Sequence, residues 1–308
     1  MGKLTIVVYH YVRPIANSEY PNIKGLEFEG FKRQLDYLEE NFIIVTSDQV
    51  NNAVLKNKPL PQNACWLTFD DGFKDHIKYV MPELLNRKLS GAFFPASSSI
   101  TKSKLLNVHS LQHIISCCES IENLVIDLNR LCKQHGLIEN QINSLYKKYA
   151  VPRSYDTADT MYVKRMLQFG LKENLQNDIT SSLFEKYVNI SKLEFSEKLY
   201  MNMEEVSELV KNGMYVGSHG AEHYWYNEIS ENKQREDIKT SLEFLEKIGT
   251  PTSNWIMCYP NGVFNKTTLS IVKEYGASIG LTTKVGEALI GESNPLILPR
   301  FDTNDFPQ

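Results

Sequence analysis

The chain of 308 residues is short of several things, and each shortage narrows what it does. It lacks an excess of positive charge. With 33 Lys and Arg against 37 Asp and Glu it carries a net charge of −4, and no basic stripe marks a nucleic-acid binder. No apolar run is long enough to span a bilayer. The apolar stretch over residues 4–9 is too short for the core of a signal peptide with a cleavage site. The five cysteines, Cys65, Cys117, Cys118, Cys132 and Cys258, are odd in number and irregularly spaced, which argues against a disulfide framework and suits a reducing compartment. A cytoplasmic protein without a membrane span is the expectation. Internal repeats and low-complexity segments are missing too. Histidine is scarce, seven in all, so a close pair carries weight.

What is present reads as an ordinary globular chain, 42% hydrophobic and 23% charged, at the upper edge of one domain or just enough for two. Strand-like and helix-like segments alternate over the first hundred residues. Strands are expected at 4–10, 42–46, 64–67 and 91–96. Helices are expected at 31–41, from Ser47 to before Pro59, and at 79–88, with Pro82 marking an early turn. Such alternation argues for a parallel α/β sheet or barrel. Residues 101–198 then read as helical throughout, with runs at 111–119, 121–135, 163–175 and 180–188. From Met203 the α/β rhythm returns. The expected organisation is a barrel formed by 1–100 and 199–308 around an α-helical insertion, 101–198. That insertion serves either as a wall over the site or as an oligomerisation surface.

Thr68-Phe69-Asp70-Asp71-Gly72-Phe73 is the most informative stretch. The apolar run Ala64–Leu67 leads into two adjacent carboxylates and a glycine, a strand ending in a tight turn. Neighbouring strand residues face opposite ways, so two acids serving one site need that turn to re-aim one of them. Adjacent carboxylates repel, and a cation or shared proton normally stabilises them. Downstream, a strand-like run ends in Gly217-Ser218-His219-Gly220-Ala221-Glu222-His223. The spacing puts His219 and His223 on one face of a helical turn, which suits a divalent transition metal, with Glu222 facing away. Two imidazoles and a carboxylate leave coordination positions for water and substrate.

Taken with Tyr259-Pro260-Asn261-Gly262, these motifs resemble those of the polysaccharide deacetylases of carbohydrate esterase family 4, the NodB-homology domain, in order and in wide spacing. The resemblance covers most of the chain outside the central segment. It implies a distorted (β/α) barrel with the active site at the strand C-termini. It also implies that Asp70 is the general base and that Asp71, His219 and His223 hold the metal. Zinc is expected, with cobalt, nickel or manganese as alternatives. The family uses the backbone N–H at the position of Asn261 to hold the oxyanion, a role that survives side-chain change.

Two departures stand out. Cys258 replaces an arginine that in many members pairs with the base, and Arg300 is the expected substitute partner. No histidine follows His223 to act as general acid. Arg300 cannot do that work, because a guanidinium does not release its proton near neutral pH. Some members, the poly-N-acetylglucosamine deacetylases among them, carry this histidine on the first strand, and His10 fits. Tyr259, Pro260 and Trp225 are expected to contact substrate, Trp225 and Tyr226 being either sugar-stacking or core. His76, His109, His113 and His135 read as structural or exposed. The implied activity is removal of an acetyl group from an N-acetylated sugar, in polysaccharide or lipopolysaccharide assembly, on a nucleotide- or lipid-linked precursor if the protein is cytoplasmic. A cyclic-amide hydrolase on the same barrel, a sugar-binding protein that keeps metal without catalysis, and O-deacetylation are the alternatives.

Overall fold

A computed structural model describes residues 2–153 and 156–308. They divide into two units: residues 2–15, 25–104 and 197–308 form one, and residues 16–24 and 105–196 the other. Residues 16–24, which the sequence reading left with the barrel, thus cluster with the helical segment.

The first unit is built on strands β1 (Gly2–Tyr9), β2 (Ala64–Asp70), β3 (Ala92–Phe94), β4 (Tyr215–Val216), β5 (Trp255–Cys258), β6 (Ala277–Leu281) and β7 (Phe301–Asp302). Parallel pairing runs from β1 through β2 and β3 to β4, with Leu4 opposite Ala64, Thr68 opposite Ala92 and Ala92 opposite Tyr215. Ser218, just past β4, bridges to Met257 of β5, and β5 pairs with β6. Leu281 then bridges to Leu298, and β7 pairs with β1 at Val7 and Val8. The ring therefore closes, but at two places a single bridge stands in for a full ladder. That is the distorted (β/α) barrel expected from the motifs. A short strand, Ala288–Ile290, lies antiparallel against the start of β1 and covers that end.

Side-chain alternation decides what enters the barrel. Leu4 and Ile6, Ala64 and Trp66, Ala92 and Phe94, Ile256 and Cys258, Ile279 and Leu281, and Leu298 share one buried cluster. All are two apart on their strands. Continuing the same parity towards the strand C-termini reaches Asp70, His10 and Arg300. The opposite face of β1–β3 carries Tyr9, Phe69 and Phe93, whose rings stack in sequence at centroid distances of 5.1 and 4.8 Å.

Helices cover that outer face. Phe28–Asn41 buries Phe31, Leu35 and Leu38, the positions whose spacing predicts it. Ser47–Lys56 starts at a reciprocal cap between Thr46 and Gln49. The helix expected at 79–88 begins earlier, as a π-helical turn His76–Val80 that runs into Met81–Asn86 with Pro82 in its first turn.

Among the described residues the second unit contains helices and one isolated bridge, Arg153 to Asp156, but no strand. Its helices include Asn107–Cys117, Ile121–Gln134, Ala158–Arg165 and Glu173–Val188, all in regions read as helical. Glu139–Tyr149, in the same helical stretch but outside the runs named from the sequence, has a thin apolar face: only Ile142 and Tyr149 are buried. Asp127 is a buried acid here, with Lys186, Tyr187 and Arg130 as donors. His109 and His113 are buried, and His113 Nδ1 bonds the His109 carbonyl at 2.9 Å.

Candidate active site

Asp70 sits at the end of β2 with 2% of its surface exposed. Arg300 clamps it with two parallel bonds, Nη1 to Oδ1 at 2.9 Å and Nη2 to Oδ2 at 2.7 Å. The guanidinium is itself held by the Thr282 carbonyl and Thr68 Oγ1. Burial pushes the Asp70 carboxyl up, but the Arg300 charge and hydrogen bonds outweigh it, and the pKa falls to about 2. Cys258 Sγ donates to Oδ2 at 3.3 Å. Burial pushes that thiol up, so it stays protonated and able to donate. Where the resemblance puts an arginine, this chain has a neutral donor, and the charge comes from Arg300 on a different strand end.

Asp71 follows in the left-handed region at φ +73°, and Gly72 repeats it at +71°. The expected turn thus begins one residue early, at Asp71 itself. Its N–H still joins the ladder by donating to Phe94 O at 2.9 Å, while its carboxylate is swung out of strand parity. Gly72 has a second reason to be glycine: a Cβ there would lie 2.6 Å from Pro95 Cβ.

Swung in this way, Asp71 Oδ1 lies 3.4 Å from His219 Nε2 and 3.5 Å from His223 Nε2. The helical turn expected for the two histidines is not there. Residues 219–223 form an irregular loop, with Gly220 at φ +70° and His223 at +57°, and these two reversals bring the rings together. Spacing of four proved compatible with the site for a different backbone reason. His219 Nδ1 donates to the Cys258 carbonyl at 2.7 Å, which turns Nε2 towards Asp71 as the nitrogen able to take a metal.

Two overlapping donor sets are present among the described residues: Asp71, His219 and His223; and Asp70, His219 and Cys258. The first fits a divalent metal. Donor atoms about 2.1 Å from a tetrahedral ion stand about 3.4 Å apart, close to the separations found here. Burial opposes charge on His219, yet Cys258, Asp71 and Asp70 hold its pKa well above the usual histidine value, so this spot draws positive charge. The second set fits poorly. Both Asp70 oxygens already bind a buried guanidinium, and a cation beside it would meet strong repulsion in a low-dielectric setting.

The other candidates are placed as follows. His10 is exposed, and its Nε2 lies 3.9 Å from Asp70 Oδ2. Asn261 sits at φ +55° in the turn after β5, its carbonyl accepting from Thr283 at 3.4 Å. Tyr259 does not meet its expectation as a substrate contact. Its ring is fully buried with Trp255 and Met257, and its hydroxyl donates to Leu296 O at 3.0 Å. Opposite parity to Cys258 turns it away from the barrel interior. Pro260 is buried beside it. Trp225 is half-buried, whereas Tyr226 is core, with its hydroxyl on Asp237.

Sequence reasoning missed Asp237 and the double use of Cys258. Asp237 lies on the buried face of the helix Glu231–Lys247, among Gln234, Ile238 and Ser241. An acid at a core-facing position was the available signal. Glu222 faces away from the histidines, bound to Ser98, Lys102 and Lys104.

Comparison with known proteins follows the same line. Residues 174–280 match the family model for polysaccharide deacetylases, which takes in the histidine loop and the Tyr259–Gly262 turn but not Asp70 and Asp71. The Bacillus subtilis protein named "Putative polysaccharide deacetylase YxkH" is 25% identical over 91 residues, 30% of this chain and about a third, 32%, of that protein's length. Among solved structures, the Streptococcus pyogenes deacetylase PplD in complex with acetate superposes with a TM-score of 0.60 at 17% identity, covering 97% of this chain and 92% of that one. IcaB from Ammonifex degensii gives 0.57 at 18%, covering 97% and 91%. A de-N-acetylase from Aggregatibacter actinomycetemcomitans gives 0.57 at 16%, covering 98% and 95%. The fold is that of the deacetylase structures, and the likeness to polysaccharide deacetylases drawn from the three motifs stands.

Proposed function

We propose, from the premise that this chain is a relative of the polysaccharide deacetylases, that it is a metal-dependent hydrolase that removes the acetyl group from an N-acetylated sugar. The single observation that carries this reading is the pairing of two buried acids with different partners: Asp70 on Arg300, and Asp71 on His219 and His223. One carboxylate is kept ionised and available, and the other belongs to a metal-ligand set. That division of labour is what amide hydrolysis requires.

Asp71, His219 and His223 would hold the ion, with zinc favoured by tetrahedral donor spacing and two imidazoles. A bound divalent metal acidifies water from a pKa of about 15.7 towards about 7 and polarises a carbonyl. Asp70, held ionised with a pKa of about 2, is a weak base towards water of pKa about 15.7, and an ion that acidifies that water would narrow the gap.

The protein's own groups carry the rest. Asp70 accepts the proton as water oxygen attacks the acetyl carbonyl carbon. The Asn261 backbone N–H donates to the developing oxyanion. His10, on the exposed side of Asp70, delivers a proton to the sugar nitrogen as the C–N bond breaks, giving acetate and a free amino sugar. An amine is a poor leaving group without that proton, so His10 favours N- over O-deacetylation as the main task. One of the solved relatives was described as a complex with acetate, the product this reaction would release.

The test is acetate release from N-acetylglucosamine oligomers and nucleotide-linked N-acetyl sugars, after chelation and after metal is returned. Acetate that disappears with chelation and returns with metal is expected. A metal-loaded, folded protein silent on every N-acetylated sugar overturns the proposal.

A further inference from the structure

We propose that Asp237 is a positioning residue that builds the histidine loop into its ligating shape before any metal arrives. The inference rests on the reading of Asp71, His219 and His223 as the ligand set. Residues 219–223 have no helix or strand to satisfy their backbone groups, and buried backbone groups left unpaired are costly. Asp237 supplies the missing partners. Its Oδ2 accepts from Ala221 N–H at 3.0 Å and its Oδ1 from Glu222 N–H at 2.8 Å. The Tyr226 hydroxyl donates to Oδ2 at 2.7 Å and fixes the carboxylate from behind.

Other bonds close the remaining sides. Gly220 N–H donates to Ser218 Oγ at 3.1 Å. The carbonyls of Gly220 and Ala221 accept from the N–H groups of Ser97 and Ser98 at 3.1 and 3.0 Å. Asp237 accepts from both N–H groups at the middle of the loop. The approach also explains Gly220, where a Cβ would lie 2.6 Å from both Asp237 Oδ2 and the Tyr226 hydroxyl oxygen. Three donors converge on this one side chain, so an acceptor-only group is required. An amide there would turn an NH2 towards one of those donors.

Asp237→Asn keeps the volume and replaces one of the two acceptor oxygens by a donor. Titration of metal-free protein with Co2+ should show affinity weakened about 10–100-fold, the usual scale for groups that orient ligands, together with an altered visible spectrum of the bound cobalt. A second measurement needs no variant: in metal-free wild-type protein the Ala221 and Glu222 amides should exchange hydrogen at least about 10²-fold more slowly than free peptide. A folded Asp237→Asn protein with wild-type cobalt affinity and spectrum overturns the proposal, as do unprotected Ala221 and Glu222 amides. Wild-type protein that binds no cobalt overturns the ligand set and this inference together. Asp237-dependent cobalt binding in a protein that releases no acetate supports this inference while removing the deacetylase reading.

Discussion

Asp70 and His10 differ in almost every respect, and the roles proposed for them follow from the difference. Asp70 is buried and clamped on both oxygens by Arg300, whereas His10 is exposed and close to one of them. A group that must deliver a proton to substrate needs that exposure. His10→Ala should therefore slow acetate release from an N-acetyl sugar by about 10²–10⁴-fold. Aryl acetate hydrolysis should change far less, because a phenolate leaves without a proton. Equal losses on both substrates would remove His10 as acid. Behind it stands His76, buried, with Nε2 donating to the His10 carbonyl at 3.0 Å. Burial lowers the His76 pKa to about 4, so the ring is neutral in the folded protein. Between about pH 6.5 and 4 the unfolded chain binds the proton that the folded one refuses, so His76's contribution is complete above pH 6.5 and drains away as pH falls. Urea unfolding at pH 7 and 4.5 should show a stability loss about 2–3 kcal/mol larger in wild type than in His76→Gln. Parallel losses would contradict it.

Among the elements, turns decide more than strands or helices. Strand parity places Asp70 inside the barrel with Ala64, Trp66 and Thr68, but β2 is buried on both faces, so the sequence showed that two acids end the strand and not which of its faces is the inner one. The re-aiming of Asp71 was legible as a need for a turn at Gly72, but the left-handed φ at Asp71 was not, because an aspartate does not announce it. Gly72→Ala should cost about 2–4 kcal/mol, from a strained φ and from contact with Pro95. Chemical denaturation of metal-free protein measures this, and an unchanged midpoint would contradict it. The helical turn read into His219–His223 failed for a general reason: a spacing of four fits a helix face, yet two backbone reversals meet the same end. What shapes that loop is Asp237, fourteen residues beyond His223, and long-range partners of this kind leave only faint marks on a sequence. Arg300 shows the opposite case: the resemblance implied an arginine partner for the acid, Cys258 stood in its place, and the chain offered Arg300 past its last apolar run, where the structure sets it on Asp70.

For the whole molecule, the alternation of strand and helix was enough to foresee a parallel α/β sheet or barrel and the resemblance carried by the motifs chose the barrel, while its two single-bridge contacts, at Ser218–Met257 and Leu281–Leu298, were invisible to pattern reading. The proposed ligand set joins the end of β2 to the loop after β4, distant in sequence, so metal should stabilise the folded barrel unit. Metal at about 100 times its dissociation constant adds about 2.7 kcal/mol. Chelation should lower the melting temperature of that unit by roughly 5–10 °C, and Asp71→Asn should abolish the shift. A chelator-insensitive melt would speak against a structural coupling of the ion. No helix among the described residues is long and apolar enough to cross a membrane. The central claim is narrower than fold or location: one buried acid is the base and its neighbour is the ligand. The measurement that tests it most directly compares acetate release by wild type and Asp70→Asn at matched metal content. The account predicts unchanged metal stoichiometry and a rate lower by about 10²–10⁴-fold. Equal rates at equal metal content would contradict it.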